Sequence, residues 1–328
     1  MPTLIFAHGD ADGIVSAALT LAAIGNGKMF FSHPVGLYED MLHNINHENK
    51  VFILDIALSE KHLEELLKLI KNLSERGIEV TYIDHHPEPL SIKLKEFPMN
   101  IVHDENVSTS ELTFKFFENI LDNDMSRVAI YGAISDYLDE TPWVKKALED
   151  WDKRTIYFEA GVLSQGLEGA RKLYDFKRRV VKHLSENRLP SEMSELIIRA
   201  LMETVSEEEM RLSIKDQAKA LENIAYVINP KGSLTRAATY VKAYLRKPVG
   251  IAIETRRNIA ILSVRCSSRK INLNVLLRRV ALEFEGSGGG HPLAAGARIP
   301  LEKLDMFLKK LDNEIATLLS SISSVNSI

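Results

Sequence analysis

Thr3-Leu4-Ile5-Phe6-Ala7, followed at once by His8-Gly9-Asp10-Ala11-Asp12-Gly13, is the stretch on which the reading of this chain turns. Its first five residues form a short apolar run of the kind buried on both faces of a parallel sheet. The next residues place three candidate ligands, His8, Asp10 and Asp12, at a spacing of two, with Gly9 and Gly13 permitting a tight turn. In open parallel sheets ligands bind outside the carboxyl ends of the strands. A first strand that ends in an imidazole and two carboxylates therefore predicts a crevice with chemistry in it.

The pattern recurs further along. Residues 51–54 and 80–83 read as buried strands, running into Asp55 and into Asp84-His85-His86. Residues 29–32 and 101–102 are shorter strand signals. Between them lie helical patterns at residues 14–24 and 60–74, the latter with Leu63, Leu66, Leu67 and Ile70 on one face and Gly77 as a stop. Residues 111–121 and 126–135 continue the helical layer, the second running into Asp136. Strands alternating with helices predict a parallel sheet with right-handed crossovers. Residues 142 to about 225 read as entirely helical, broken at Asn187-Arg188-Leu189-Pro190-Ser191, with a connecting helix over residues 211–222. A second α/β unit follows: a hairpin of residues 248–254 and 259–265, a helix over 272–284, a strand over 294–299 and a closing helix over 301–318. The Ser-rich tail after Leu319 reads as frayed. The fold class is thus α/β, with a parallel-sheet N-terminal domain (1–187), a helical linker (188–225) and a smaller α/β C-terminal domain with a mixed sheet (226–328).

Composition excludes several classes. The 328 residues are 45% hydrophobic and 26% charged, as in an ordinary globular protein. No apolar run is long enough to span a membrane, and the N-terminus reads as a strand, not a signal peptide. The single cysteine, Cys266, forbids an internal disulfide and a thiolate metal site within one chain. A cytoplasmic location is the expectation. From Tyr226 onward there are 16 Lys and Arg against 7 Asp and Glu; before it there are 25 against 38. Such a split suits either an anionic ligand on the basic half or solvated helix faces of differing sign.

Taken singly, each acidic motif has a structural use. Asp10 suits an N-cap, Asp55 a strand-end cap, and His85-His86 packing. Gathered at strand ends in this order, so many carboxylates could not all ionise without cations. Mixed imidazole and carboxylate ligation suits Mn²⁺, with Mg²⁺, Fe²⁺ or Zn²⁺ less specifically. The donors suffice for two ions sharing one bridging carboxylate. In the C-terminal half, Gly288-Gly289-Gly290 is costly in a helix or strand but useful where backbone N–H groups meet an anion. His291 then offers a donor and a ring. Arg265, at a strand end, suits a forked phosphate contact, ahead of Arg269, Lys270 and Arg236. Ser108-Thr109-Ser110 reads as a helix cap sooner than a substrate contact.

At these residues the chain resembles the DHH phosphoesterases, a family that includes RecJ exonucleases, NrnA-type oligoribonuclease/pAp phosphatases and cyclic dinucleotide phosphodiesterases. The resemblance rests on His8–Gly13, Asp55, Asp84-His85-His86 and Asp136, and on Gly286-Ser287-Gly288-Gly289-Gly290-His291-Pro292-Leu293-Ala294-Ala295-Gly296, which is similar to the signature of the DHH-associated C-terminal domain. It covers nearly the whole chain; Cys266 stands where the family often has Ser. It implies that His8 and Asp10 hold one metal, that Asp12, His85 and Asp136 hold the other, and that Asp55 bridges them. Asp139 is a rival to Asp136. Asp84 would orient a histidine, and His86 would face the substrate phosphate as donor or acid. Arg265, Gly288, Gly289, Gly290 and His291 would bind substrate. The implied function is two-metal hydrolysis of short single-stranded RNA or DNA to nucleoside monophosphates, with Mn²⁺ the expected metal and Mg²⁺ the alternative. Other readings are a pAp phosphatase, a cyclic or linear dinucleotide phosphodiesterase, or a non-catalytic nucleic-acid-binding subunit. A nucleic acid or nucleotide partner, no membrane, and room for a homodimer complete the expectation.

Overall fold

The computed structural model describes residues 3–46, 48–170 and 172–320. The Ser-rich tail after Leu319 lies almost entirely outside the described residues. In chain order the first part comprises β1 (Thr3–His8), α1 (Ala11–Ile24), β2 (Lys28–Ser32), α2 (Leu37–Asn44), β3 (Lys50–Leu54), α3 (Leu63–Glu75), β4 (Glu79–Asp84), β5 (Asn100–His103), α4 (Thr109–Phe116), α5 (Ser126–Ser135), α6 (Pro142–Ala147), α7 (Lys153–Glu168), α8 (Tyr174–Ser185) and α9 (Ser194–Gln217). The second comprises β6 (Lys219–Ala220), β7 (Ile224–Ile228), α10 (Leu234–Tyr244), β8 (Val249–Arg256), β9 (Ile259–Cys266), α11 (Leu273–Glu283), β10 (Ser287–Gly290), β11 (Ala294–Pro300) and α12 (Leu304–Ser320). Two compact units result, dividing within α9, between Glu203 and Thr204.

The first sheet has the order β2-β1-β3-β4-β5 and is parallel throughout. Its strands alternate between two buried faces, as a sheet covered by helices on both sides requires. Ile5, Ala7, Phe52, Leu54 and Ile83 pack with residues of α1, α4, α5, α7 and α8. Leu4, Phe6, Val51, Ile53, Val80 and Tyr82 pack with residues of α2 and α3. Leu54 pairs with Ile83 and Ala7 with Leu54, so β1, β3 and β4 run out side by side and His8, Asp55 and Asp84 emerge along one edge.

The second sheet is mixed, ordered β10-β11-β9-β8-β7-β6. The predicted hairpin is present as antiparallel β8 and β9, while β7 runs parallel to β8.

Several boundaries differ from the sequence expectation. The helical reading to residue 225 stops short: α9 ends at Gln217, and β6 and β7 begin before 225, because the apolar run Ile224-Ala225-Tyr226-Val227 is claimed by pairing to β8. The helix expected over 60–74 opens with a 3-10 turn, Glu60–His62, capped by Ser59. The helix expected over 111–121 ends at Phe116, and α2 was not anticipated. The glycine run is the sharpest departure, since it forms β10, an edge strand paired with β11. Tight packing explains it: a Cβ on Gly288 would sit 2.8 Å from the Leu277 carbonyl oxygen, and Gly289 and Gly290 hold φ of +153° and +140°. Only glycine lets the strand lie this close to α11.

Candidate metal centre

Helix ends and strand ends set the positions of the strand-end cluster. Asp10 is the N-cap of α1, its Oδ1 accepting from the Gly13 N–H at 3.1 Å. Its Oδ2 lies 2.6 Å from His8 Nδ1. Asp12, in the first turn of α1, is fully buried. Asp55 follows β3 with φ of 58°, a conformation that Asp tolerates better than most residues, and its N–H donates to Ile83 O at 3.0 Å. Asp84 ends β4. Asp136 closes α5, its N–H donating to Gly132 O at 3.2 Å.

These positions gather the ligands in two overlapping groups. One ligand atom each from His8, Asp10 and Asp55 lie within 4.8 Å of one another, and so do those from Asp12, Asp55, His85 and Asp136. Asp55 belongs to both, and its carboxylate also lies within the same reach of Asp84 and His86. His8 Nδ1 is 3.8 Å from Asp55 Oδ2, and His85 Nε2 is 3.5 Å from Asp55 Oδ1 and 3.2 Å from Asp136 Oδ2. Asp139 joins neither group; its Oδ2 accepts from the Tyr157 hydroxyl at 2.6 Å.

Asp84 serves His86. Its Oδ1 is 2.8 Å from His86 Nδ1, and its Oδ2 accepts from the His86 N–H at 3.0 Å and lies 2.7 Å from the Tyr82 hydroxyl. Burial opposes ionisation of Asp84, yet His86 and the Tyr82 hydroxyl hold it down to about 2. An ionised Asp84 can only accept, so Nδ1 of His86 carries the proton in this pair.

Sequence reasoning missed four contributors, Thr109, Ser110, Lys177 and Tyr82. Ser108 does cap α4, accepting from Glu111 N at 3.2 Å. The next two residues grip the cluster: the N–H groups of Thr109 and Ser110 donate to the two Asp12 oxygens at 2.8 and 3.0 Å, and the Thr109 hydroxyl donates to Asp55 Oδ1 at 3.0 Å. Lys177, buried on α8, donates from Nζ to Gly9 O at 2.5 Å. Tyr82 completes the set. No local pattern announces Lys177 or Tyr82, and Ser108-Thr109-Ser110 reads in sequence as a cap.

The electrostatics call for cations. Burial, then the charge of Asp136, pushes Asp12 up to about 7. Burial, then Asp10, Asp12, Asp136 and Asp84, raises Asp55 well above the usual carboxylate range. Asp10, whose side chain is half exposed, is held far below that range by the neighbouring His8. Burial works to lower His85, but Asp136 and Asp12 carry it up to about 9. Asp55 Oδ2 is buried without a hydrogen-bond partner, which in a polar cluster asks for an ion or a water. Histidine and carboxylate donors of this kind fit hard or borderline divalent cations.

A pH dependence follows for the metal-free protein. Asp12 and Asp55 keep protons in the folded state that the unfolded chain has lost above about pH 4, and His85 keeps one that the unfolded chain loses above about pH 6.5. All three make stability fall as pH rises through this range, while Asp84 makes it fall only on acidification towards 2. Metal-free Tm is therefore expected to be highest near about pH 4–5 and to decline towards about pH 9. Thermal melts in chelator across this range check it; a flat or rising profile would contradict the charge distribution.

In the C-terminal unit Arg265 lies on β9, Gly288, Gly289 and Gly290 on β10, and His291 in the turn between β10 and β11. Arg265 pairs in register with Ala294, and Gly289 with Gly296. Gly290 N–H donates to Asn274 Oδ1 at 3.1 Å, so one expected anion donor is already engaged. Arg278, which the sequence reading passed over, lies against Gly289 and donates from Nε to the same Asn274 oxygen at 2.9 Å.

Comparison with known proteins agrees with this architecture. The model of the DHH family, N-terminal domain, matches residues 2–138, and that of the DHHA1 domain matches residues 223–317. An uncharacterized protein of Methanocaldococcus jannaschii, MJ0831, is 38% identical over 101 residues, which is 30% of this chain and 22% of that protein. The pGpG-specific phosphodiesterase PggH of Vibrio cholerae superposes with a TM-score of 0.61 at 14% identity, over 97% of this chain and 99% of that one. RecJ of Thermus thermophilus, solved with Mn²⁺, superposes with a TM-score of 0.69 at 18% identity, over 96% of this chain and 52% of RecJ. At such identities the likeness is one of fold, and this chain spans about half the length of that RecJ.

Proposed function

This chain belongs to the DHH family, with a DHHA1 domain towards its C-terminus; from that premise we propose that it is a phosphoester-hydrolysing enzyme that cleaves phosphodiester bonds of short single-stranded RNA or DNA, releasing nucleoside monophosphates. One observation carries the reading: Asp55 is shared between two ligand groups and keeps a buried carboxylate oxygen without a partner. In this proposal His8, Asp10 and Asp55 hold one divalent cation and Asp12, Asp55, His85 and Asp136 hold a second, with Mn²⁺ favoured over Mg²⁺ by the two imidazoles. Bound there, such cations would supply Lewis-acid charge and acidify water at neutral pH.

The chain's own residues do the rest. Thr109 and Ser110 hold Asp12 in place, so the ligand set is preorganised. Asp84 fixes the ring of His86 through Nδ1–H, and when the ring carries its second proton, as imidazolium, Nε2 donates that proton to the departing oxygen or a hydrogen bond to the phosphate. Arg265, Gly288, Gly289, Gly290 and His291 contribute nucleotide binding from the C-terminal unit, the guanidinium suiting a phosphate fork.

Hydrolysis of a dinucleotide is the second reading. Its support is the likeness of fold to the pGpG-specific phosphodiesterase, which this chain covers over 99% of its length. A panel of pAp, linear and cyclic dinucleotides, and labelled RNA and DNA of increasing length, each with Mn²⁺ and with chelator, separates the readings. Mn²⁺-dependent release of monophosphates from oligonucleotides is the expected result. Turnover confined to dinucleotides would select the second reading, and inertness towards the whole panel would leave a binding subunit.

A further inference from the structure

We propose that Tyr137 is the stacking platform for the nucleobase adjoining the phosphate at the carboxylate centre, an inference that rests on the nucleotide-hydrolase reading above. Tyr137 follows Asp136 directly, so the two Cα atoms are about 3.8 Å apart. It is 87% exposed, more than any other large hydrophobic side chain among the described residues. Its backbone is in the left-handed region, with φ of 59°.

These facts are costly together. The position ends α5: Tyr137 N–H donates to Ile134 O at 3.1 Å and Leu138 N–H to Ala133 O at 2.9 Å. That closure is ordinarily made by glycine or asparagine. Among the described non-glycine residues with positive φ, the others are Asp55, Asn187, Asn229, Arg246, Arg257 and Glu285, and Tyr137 alone carries a ring. A bulky residue there is strained, and a ring in water returns nothing in packing. A single exposed apolar side chain needs no explanation; one that is strained as well and stands next to a ligand carboxylate does. Backbone strain of this kind clusters where a binding site needs it. The loop also carries Asp139, which accepts from the hydroxyl of Tyr157, itself 44% exposed. A second ring is thereby tied to the same loop. Aromatic faces of this kind hold single-stranded bases without preference for sequence.

The test compares wild type, Tyr137→Phe and Tyr137→Gly on a short oligonucleotide and on the same oligonucleotide made abasic at successive positions. KM is read with Mn²⁺, and Kd by anisotropy with Ca²⁺. Tyr137→Gly is expected to raise KM and Kd for the intact strand by about 5- to 150-fold. It should have little effect on the strand abasic at the stacked position, and should raise Tm by about 2–4 °C through release of strain. Tyr137→Phe should restore wild-type affinity. Equal loss on intact and abasic strands, or no loss, would overturn the inference. Should wild type bind but hydrolyse nothing, the binding contrast still decides the role of Tyr137 while the hydrolytic reading fails on its own. Binding of neither strand by wild type would end both.

Discussion

Asp55→Asn is expected to cut kcat by at least about 100-fold while leaving the metal-free protein folded and more stable than wild type. The two effects have opposite signs because Asp55 serves function at the cost of stability. Asn keeps the shape, tolerates the left-handed backbone at φ of 58°, and can still accept from the Thr109 hydroxyl through its amide oxygen. What it loses is the negative charge shared by the two ligand groups. Residues that merely orient metal ligands cost about 10- to 100-fold when changed, so a carboxylate common to both groups should exceed that. Without cations, the substitution removes a buried carboxyl crowded by four others, and metal-free Tm should rise at neutral pH. Steady-state kinetics with Mn²⁺ and melts in chelator measure both. Undiminished activity would show that Asp55 does not bridge.

Gly132→Ala should abolish most activity through one methyl group. Gly132 lies on α5 facing both α1 and α4: a Cβ there would sit 2.4 Å from Ser110 Oγ and 2.6 Å from Asp12 Oδ1. Neither neighbour can yield cheaply. Ser110 donates from Oγ to Ala129 O at 3.0 Å, and Asp12 is held by two backbone N–H groups. Alanine is the better helix former by about 1 kcal/mol, which works the other way. Overpacking a rigid site costs about 1–3 kcal/mol or more, and two sub-van-der-Waals contacts favour the upper end. The net loss should be about 1–2 kcal/mol. That corresponds to a Tm lower by about 2–8 °C for a unit of this size. Asp12 has to move for the methyl to fit, so Mn²⁺ affinity and kcat should fall together. Wild-type metal affinity in a folded Gly132→Ala protein would mean that the three helices are looser than their contacts indicate.

Features that depend on near neighbours were legible in the sequence. Buried parallel strands announce themselves as unbroken apolar runs, so β1, β3 and β4 stood out, as did the ligands just past their ends. The hairpin of β8 and β9 was equally plain. Less legible were elements whose local signal is weak or misleading. The eight residues of α2 carry only Leu37 and Met41 as buried apolar positions. The glycine run argues against a strand on propensity, and becomes one only because β11 and α11 leave room for nothing larger. The same packing sends the Gly290 N–H to Asn274, a partner that no spacing rule suggests.

By itself, then, the order of residues determined the α/β class and the ligand types at the strand ends, since hydrophobic periodicity and the side chain following a strand are properties of a few consecutive positions. Tertiary structure alone decided how those ligands are held. The grip of Thr109 on Asp12 spans 97 residues and that of Lys177 on Gly9 spans 168, and contacts at such separations exist only once helices from distant parts of the chain pack against one sheet.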